Sequence, residues 1–331
     1  MPKKKIAVVG AGFVGSTAAY TMMMNNTADE IVLIDINRDK AEGDALDMNH
    51  GMSFLPPVRF YSGWYGDCAD AALVVLTAGA AQKPGERRME LLGRNLRVFD
   101  DILSQLLPNL APNALLLTVT NPVDVLTQYV LERSGLPPSR VMGSGTVLDT
   151  SRLKWAIAEQ VGVDPRNVHT FVVGEHGDTE VAAFSATTVS GMRLDQYCGG
   201  APLGMSGTGA GYRQSLLSCE AFFHSLHDGV RRAAYGIIEK KGATYYAVAL
   251  AVNRIAEAAL NDQKAVLTVS GLVDGAYGIG GVCLSLPRVV GAGGIERLLE
   301  VPYDGGEIRA LRHSAETIRK AYAAACVPVR A

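Results

Sequence analysis

The sequence predicts an α/β fold: a doubly wound parallel sheet in its first half, followed by an α+β unit. Three observations predict it. Short continuous runs rich in Val, Ile and Leu occur at 6–9, 31–34, 73–77 and 114–119, as in strands buried on both faces of a parallel sheet. Helical stretches fall between them at 13–24, 38–49 and 88–109, the last closed by Pro108 and Pro112, and this alternation is that of βαβ units. The first run also feeds directly into Gly10-Ala-Gly12-Phe-Val-Gly15, the glycine spacing of a Rossmann-type dinucleotide turn.

Each glycine has a separate task in such a turn. Gly10 permits the tight bend, Gly12 lets the backbone approach a pyrophosphate, and Gly15 lets helix and strand pack closely. The helix that opens there offers free N–H groups and a positive dipole end to phosphates. Asp35 closes the second strand, 20 residues after Gly15, where a carboxylate can accept bonds from both ribose hydroxyls. An acid there repels a 2′-phosphate, so NAD is expected over NADP. The glycine spacing alone is weak evidence; strand, helix and acid together make a mere tight turn a poor alternative.

After about residue 145 the pattern changes, and two domains are expected, 1–145 for the dinucleotide and 146–331 for catalysis. A helix is expected at 148–161, opened by Asp149 and Thr150. Strands at 168–173 and 181–189 flank the charged turn Gly174-Glu175-His176-Gly177-Asp178. Long helices are expected at 216–241 and 243–260, an antiparallel pair at 266–273 and 282–290, and a closing helix at 307–324. The glycine-rich stretch 199–211 reads as a surface loop.

Composition excludes several classes. Of 331 residues, 48% are hydrophobic and 19% charged, with 31 basic against 33 acidic side chains, an ordinary globular balance. No basic excess points to nucleic acid or a membrane surface. No apolar run reaches the ~20 residues of a membrane span. Lys3-Lys4-Lys5 looks like the start of a signal peptide, but glycines interrupt the apolar stretch after it, so a cytoplasmic protein is expected. The five cysteines are scattered without a CxxC pair, and suggest neither disulfides nor zinc. His224 and His227 have helical spacing, but no third ligand is evident, so no metal site is expected.

The charged turn carries the chemistry. Oxidising an alcohol needs a base for the hydroxyl proton as hydride leaves, and histidine titrates near neutrality. His176 is the candidate, with Asp149 as the carboxylate that fixes its tautomer and stabilises its imidazolium. Arg152 follows Asp149 by three residues on one helix face, and a guanidinium there can hold a substrate carboxylate through two parallel bonds. A structural histidine beside a surface Asp–Arg pair is the alternative reading.

Several motifs occur in order: the glycine turn with Asp35, Thr77-Ala-Gly-Ala-Ala-Gln82-Lys-Pro-Gly-Glu-Arg-Arg88, Thr120-Asn121-Pro-Val-Asp124, Gly143-Ser-Gly-Thr-Val-Leu-Asp149-Thr-Ser-Arg152, the Gly-Glu-His-Gly-Asp turn and Lys241-Gly-Ala-Thr244-Tyr-Tyr. The chain resembles the lactate/malate dehydrogenase family over nearly its full length. The resemblance implies His176 as proton donor and acceptor, Asp149 as its partner and Arg152 as carboxylate clamp. It implies Arg88 on a closing loop, polarising the keto oxygen. Asn121, followed by a cis Pro122, would orient substrate and nicotinamide, with Asp124 and Thr244 also on the substrate side. Gly10, Gly12, Val14, Gly15, Asp35, Lys40, Tyr65, Gly79, Ala80 and Asn121 would line the cofactor.

Within the family, the position six before Arg88 separates branches. Malate enzymes of this pattern carry arginine there for a second carboxylate, and this chain has Gln82. Burying that carboxylate without a cation costs roughly 3–5 kcal/mol. Gln82 and Thr244 therefore imply pyruvate and L-lactate as the substrate pair. The resemblance also implies a homotetramer and a fructose 1,6-bisphosphate site at Lys154 and His169, where ordinary polar interface residues are an equal alternative. A malate or branched 2-hydroxy acid enzyme and a catalytically silent NAD-binding protein are the competing readings.

Overall fold

The computed structural model describes residues 4–80, 88–194 and 220–326. The chain opens with β1 (Lys5–Val9), α1 (Phe13–Met24), β2 (Glu30–Ile34), α2 (Arg38–His50), β3 (Arg59–Ser62), β4 (Leu73–Leu76), α3 (Arg88–Leu106), β5 (Leu115–Thr118), α4 (Val123–Ser134) and β6 (Val141–Gly143). These six strands are parallel and ordered β3-β2-β1-β4-β5-β6, the order of the doubly wound dinucleotide sheet. Two of them, β3 and β6, and helix α4 were not expected from the sequence.

The remaining elements are α5 (Val147–Val161), β7 (Val168–His169), β8 (Val172–Val173), β9 (Val181–Ala182), β10 (Thr188–Val189), β11 (Met192–Arg193), α6 (Glu220–Lys241), α7 (Tyr246–Leu260), β12 (Ala265–Leu267), β13 (Ser270–Asp274), β14 (Gly280–Ser285), β15 (Arg288–Gly291), β16 (Gly294–Leu298) and α8 (Gly305–Cys326). The two strands expected around the charged turn are short pieces, with a 3₁₀ turn at Phe184–Ala186 between β9 and β10. The expected late pair is corrected as well. Its residues divide between β13–β14, which pair with each other, and β12–β15, which belong to a separate three-stranded sheet. Through Ser270 opposite Gly143, β13 extends the first sheet to eight strands. The main sheet thus includes chain from both sides of residue 145. The expected loop at 199–211 lies outside the described residues.

Alternation along each strand divides the core. Ala7, Val9, Val74 and Leu76 face one layer, built with α3, α4 and α8. Ile6, Val8, Leu73 and Val75 face the other, built with α1 and α7. On α3, Leu92, Leu96, Phe99, Leu103 and Leu106 recur at helical spacing and are buried, each adding about 1.5–3 kcal/mol of hydrophobic stabilisation. A third cluster joins Leu153 and Ile157 of α5 to Val168, Val172, Ala182 and Val230, and so packs α5 and α6 around the strands that carry His176.

Candidate active site

The cofactor crevice lies at the carboxyl ends of β1 and β4, neighbours in the sheet where the strand order reverses. Gly10 has φ +109°, and a Cβ there would meet Ala78 N at 2.5 Å. A Cβ on Gly15 would meet Gly10 O at 1.8 Å, so α1 can start against the turn only with glycine. A Cβ on Gly12 would meet none of the described atoms within 4 Å; the open space is on the ligand side. No side chain caps α1, which leaves its first N–H groups for an anion. Asp35 accepts from Ala11 N at 2.6 Å and Asn37 N at 2.8 Å, one bond per oxygen, and each oxygen retains a lone pair for a ribose hydroxyl. These features fit an NAD molecule: open backbone for the pyrophosphate and an acid for the ribose.

Other cofactor candidates are placed unevenly. Val14 is half-buried on α1 and packs on the core. Gly79 and Ala80 follow β4, and Ala80 N donates to Asn95 Oδ1 at 2.8 Å. Asn95 Nδ2 in turn donates to Asn121 O at 2.9 Å. Asn95 is 1% exposed; this buried amide on α3 ties the loops after β4 and β5, and the sequence reading missed it. Lys40 is exposed and pairs with Asp44 at 2.7 Å. Tyr65 is buried among core residues, and burial pushes its phenol up to about 12. The structure gives Tyr65 a packing position rather than an open cofactor face.

The catalytic candidates meet on a hairpin. Val172 and Val173 of β8 pair with Ala182 and Val181 of β9, and residues 174–180 form its loop. Gly174 has φ +96°, and a Cβ would press on Ser314 Oγ of α8 at 2.8 Å. Gly174 and Ser285 exchange main-chain bonds, and Thr150 of α5 accepts from Val172 N at 3.0 Å. The hairpin is therefore clamped to β14 on one side and to the start of α5 on the other. Asp149 stands in the first turn of α5, where the helix dipole favours a carboxylate.

His176 Nδ1 lies 2.6 Å from Asp149 Oδ2, and Arg152 Nη1 donates to Asp149 Oδ1 at 2.7 Å. One buried carboxylate thus joins the histidine and the arginine. Nδ1 serves the acid, which leaves Nε2 for a substrate. Burial works against the imidazolium, but the charge and hydrogen bond of Asp149 outweigh it and push His176 up to about 9. Burial alone would raise Asp149; His176 and Arg152 hold it below the ordinary carboxylate range.

A cleft of about 360 Å³ joins these groups, lined by Leu92, Asn121, Asp149, Arg152, His176 and Glu180 among others. Asn121 is followed by a cis bond to Pro122. Arg88 is the first residue of α3, and Gln82 lies outside the described residues. Asp124, expected on the substrate side, is instead 2% exposed and absent from the cleft lining. It accepts from His176 N at 2.7 Å and Ser285 Oγ at 3.2 Å, so it holds the hairpin. Thr244 sits half-buried between α6 and α7 and does not line the cleft. Lys154 is half-buried on α5, where desolvation lowers its pKa, and His169 is exposed on β7.

Glu180 was also missed, although it follows His176 by only four residues. Asp149, His176 and Glu180 offer atoms within 4.8 Å of one another, as ligands of a cation would. Both Asp149 oxygens are already engaged, and the adjacent Arg152 guanidinium disfavours a second cation, so this set suits proton handling better than metal binding.

A dinucleotide sheet facing an acid–base pair and an arginine is the arrangement of a nicotinamide-dependent dehydrogenase. Comparison with known proteins narrows the class. Residues 4–143 match the NAD-binding domain of lactate/malate dehydrogenase, and 146–326 match the alpha/beta C-terminal domain of the same family. The chain belongs to the lactate/malate dehydrogenase family. It is 48% identical over 319 residues to an L-lactate dehydrogenase of Acetivibrio thermocellus, covering 96% of each. It is 49% identical over 316 residues to one of Thermoanaerobacter sp. (strain X514), covering 95% of this chain and 97% of that protein. The crystal structure of the minor L-lactate dehydrogenase from Enterococcus mundtii in its ligands-bound form superposes with a TM-score of 0.90 at 38% identity, over 98% of each chain.

Proposed function

We propose that the protein is an NAD-dependent L-lactate dehydrogenase, interconverting pyruvate and L-lactate. The observation that carries the reading is Asp149 held between His176 and Arg152, facing a cleft that adjoins the dinucleotide sheet. The bound nicotinamide supplies hydride to the keto carbon, or accepts it in the reverse direction. Arg152 binds the substrate carboxylate through its remaining N–H groups. His176 holds a proton on Nε2 and delivers it to the oxygen that becomes the hydroxyl. Asp149 keeps the imidazole oriented and charged until that transfer. Arg88 stabilises the negative charge that grows on the same oxygen, and Asn121 orients the substrate. Neutral Gln82 suits a methyl group better than a second carboxylate.

An NADH absorbance assay with pyruvate, oxaloacetate and branched 2-oxo acids tests the reading. Pyruvate is expected to be reduced fastest; a preference for oxaloacetate would instead make it a malate enzyme. A silent NAD-binding protein is disfavoured by the intact His176–Asp149–Arg152 set.

The finer expectations belong to the same reading. We place the protein in the cytoplasm, and no helix among the described residues is long and apolar enough to cross a membrane. The division at residue 145 into cofactor and catalytic domains is retained, with the sheet shared across it. A homotetramer is supported by the resemblance and by exposed Tyr20, Met24, Phe54 and Leu250; sedimentation velocity decides it. Activation by fructose 1,6-bisphosphate at Lys154 and His169 is read from pyruvate kinetics with and without the bisphosphate. Lysine lacks arginine's planar fork, so weak binding is expected.

A further inference from the structure

Helix α6 lays a polar stripe along the catalytic hairpin. His227, Arg231 and Tyr235 recur every four residues, on one helix face. Arg231 donates to Asp178 O at 3.3 Å, Tyr235 OH to Asp178 Oδ1 at 3.4 Å, and His227 Nε2 stands 3.5 Å from Glu180 Oε1. The last contact differs in kind. The Glu180 side chain is 2% exposed and that of His227 16%, and neither facing atom has a hydrogen bond. Glu180 lines the substrate cleft. A buried carboxylate oxygen without a hydrogen bond is tolerated only beside an opposite charge.

The charges of the cleft show why this matters. Asp149 faces His176 and Arg152, so these three carry one net positive charge when the histidine is protonated. That local surplus is what the carboxylate of a 2-oxo acid held by Arg152 meets, while Glu175, Asp178 and Arg231 also line the cleft. An ionised Glu180 without a partner would cancel it. The charged groups that act most on Glu180 are His227 on α6, Asp149 on α5 and His176 on the hairpin; Arg152, Glu175, Asp178 and Arg231 line the same cleft. Burial raises the Glu180 carboxyl, and His227 is the largest opposing influence. Arg231, on the same helix, is paired with Asp228.

We infer that His227 is a positioning residue whose imidazole offsets the buried Glu180 carboxylate across 3.5 Å, so that this wall of the cleft adds no net charge and the substrate carboxylate is admitted. The inference rests on the 2-oxo acid reading. Its effect belongs to substrate affinity, since neither group touches the reacting atoms.

The test compares pyruvate kinetics of wild type, His227→Phe, His227→Gln and the double variant Glu180→Gln/His227→Phe. Melting temperature, NADH binding and pyruvate binding by calorimetry are measured on the same samples. KM for pyruvate is expected to rise roughly ten- to hundredfold in His227→Phe with kcat within about threefold, as for an uncompensated charge several ångströms from the carboxylate. His227→Gln, closer in shape, should show the same split, because an amide carries no charge. The double variant should recover most of the lost affinity, since the acid leaves with its partner. A double variant no better than His227→Phe, or unchanged KM in both single variants, overturns the inference. A loss in the single variants that follows melting temperature, with kcat falling as much as KM rises, overturns it too. Wild type that neither binds nor reduces pyruvate overturns the functional reading as well; active wild type with insensitive variants overturns this inference alone.

Discussion

Asp124 accepts a hydrogen bond from the main-chain N–H of His176 at 2.7 Å, although α4 and the hairpin lie 52 residues apart in sequence. The acid therefore sets where the imidazole stands without reaching the cleft itself. Asp124→Ala removes the acceptor for both His176 N–H and Ser285 Oγ. A loss of about 1–3 kcal/mol is expected in urea unfolding, together with a fall in kcat as the hairpin shifts. Asp124→Asn keeps an acceptor and should retain most of the stability. Equal behaviour of the two variants would show that the bond does not anchor the hairpin.

The His176–Asp149 pair predicts opposite pH profiles for the two directions. Pyruvate reduction needs the imidazolium, so its rate should fall as pH rises through about 9, the value to which His176 is pushed. Lactate oxidation needs the neutral ring and should rise across the same window. Asp149→Asn removes the charge that raises this pKa, and both transitions should move to lower pH. His176→Asn should abolish turnover while NADH binding, which uses the glycine turn and Asp35, persists. Parallel profiles for the two directions would exclude this histidine as the proton carrier.

Substrate choice is expected to turn on Gln82. Gln82→Arg should raise oxaloacetate reduction by roughly two to three orders of magnitude and depress pyruvate reduction, through a new pair with the distal carboxylate. The ratio of the two kcat/KM values is the measurement. No change in that ratio would remove Gln82 from the specificity argument.

Cofactor choice is expected to follow Asp35. Its two oxygens hold Ala11 N and Asn37 N, so Asp35→Ser loosens the glycine turn as well as losing the ribose acceptor. NADH affinity should fall and the preference over NADPH should narrow. Equal use of both cofactors by the unaltered protein would contradict the role assigned to this acid.

What the sequence revealed and concealed follows from how far each signal reaches. Ile6–Val9 and Ile31–Ile34 are buried on both faces, so an unbroken apolar run announces each strand. At the sheet edge, only Phe60 of Arg59-Phe-Tyr-Ser is fully buried, and β3 lacks that run. Helix α4 is buried on most sides from Val123 to Gln128, which erases the amphipathic stripe that marks a surface helix. In the site, His176, Asp149 and Arg152 were legible because a charged glycine turn and an i, i+3 pair are local patterns. Asn95 looked like any polar residue of a helix. His227 shows no partner in the sequence, because that partner stands in another element of the fold. Asp124 is recognisable from its motif, but its direction is not, because a motif gives a residue's place and not the face toward which it turns.

The pairing of Ser270 with Gly143 has a consequence for biosynthesis. On the ribosome, the parallel strands through β6 emerge while β13 is still unmade. Until residue 270 has left the exit tunnel, the β6 edge displays unpaired N–H and C=O groups, the kind of edge on which nascent chains associate wrongly. The border of the dinucleotide half at Gly143 is thus completed only by a strand from the opposite half of the chain. A polypeptide truncated at residue 145 would keep that raw border permanently.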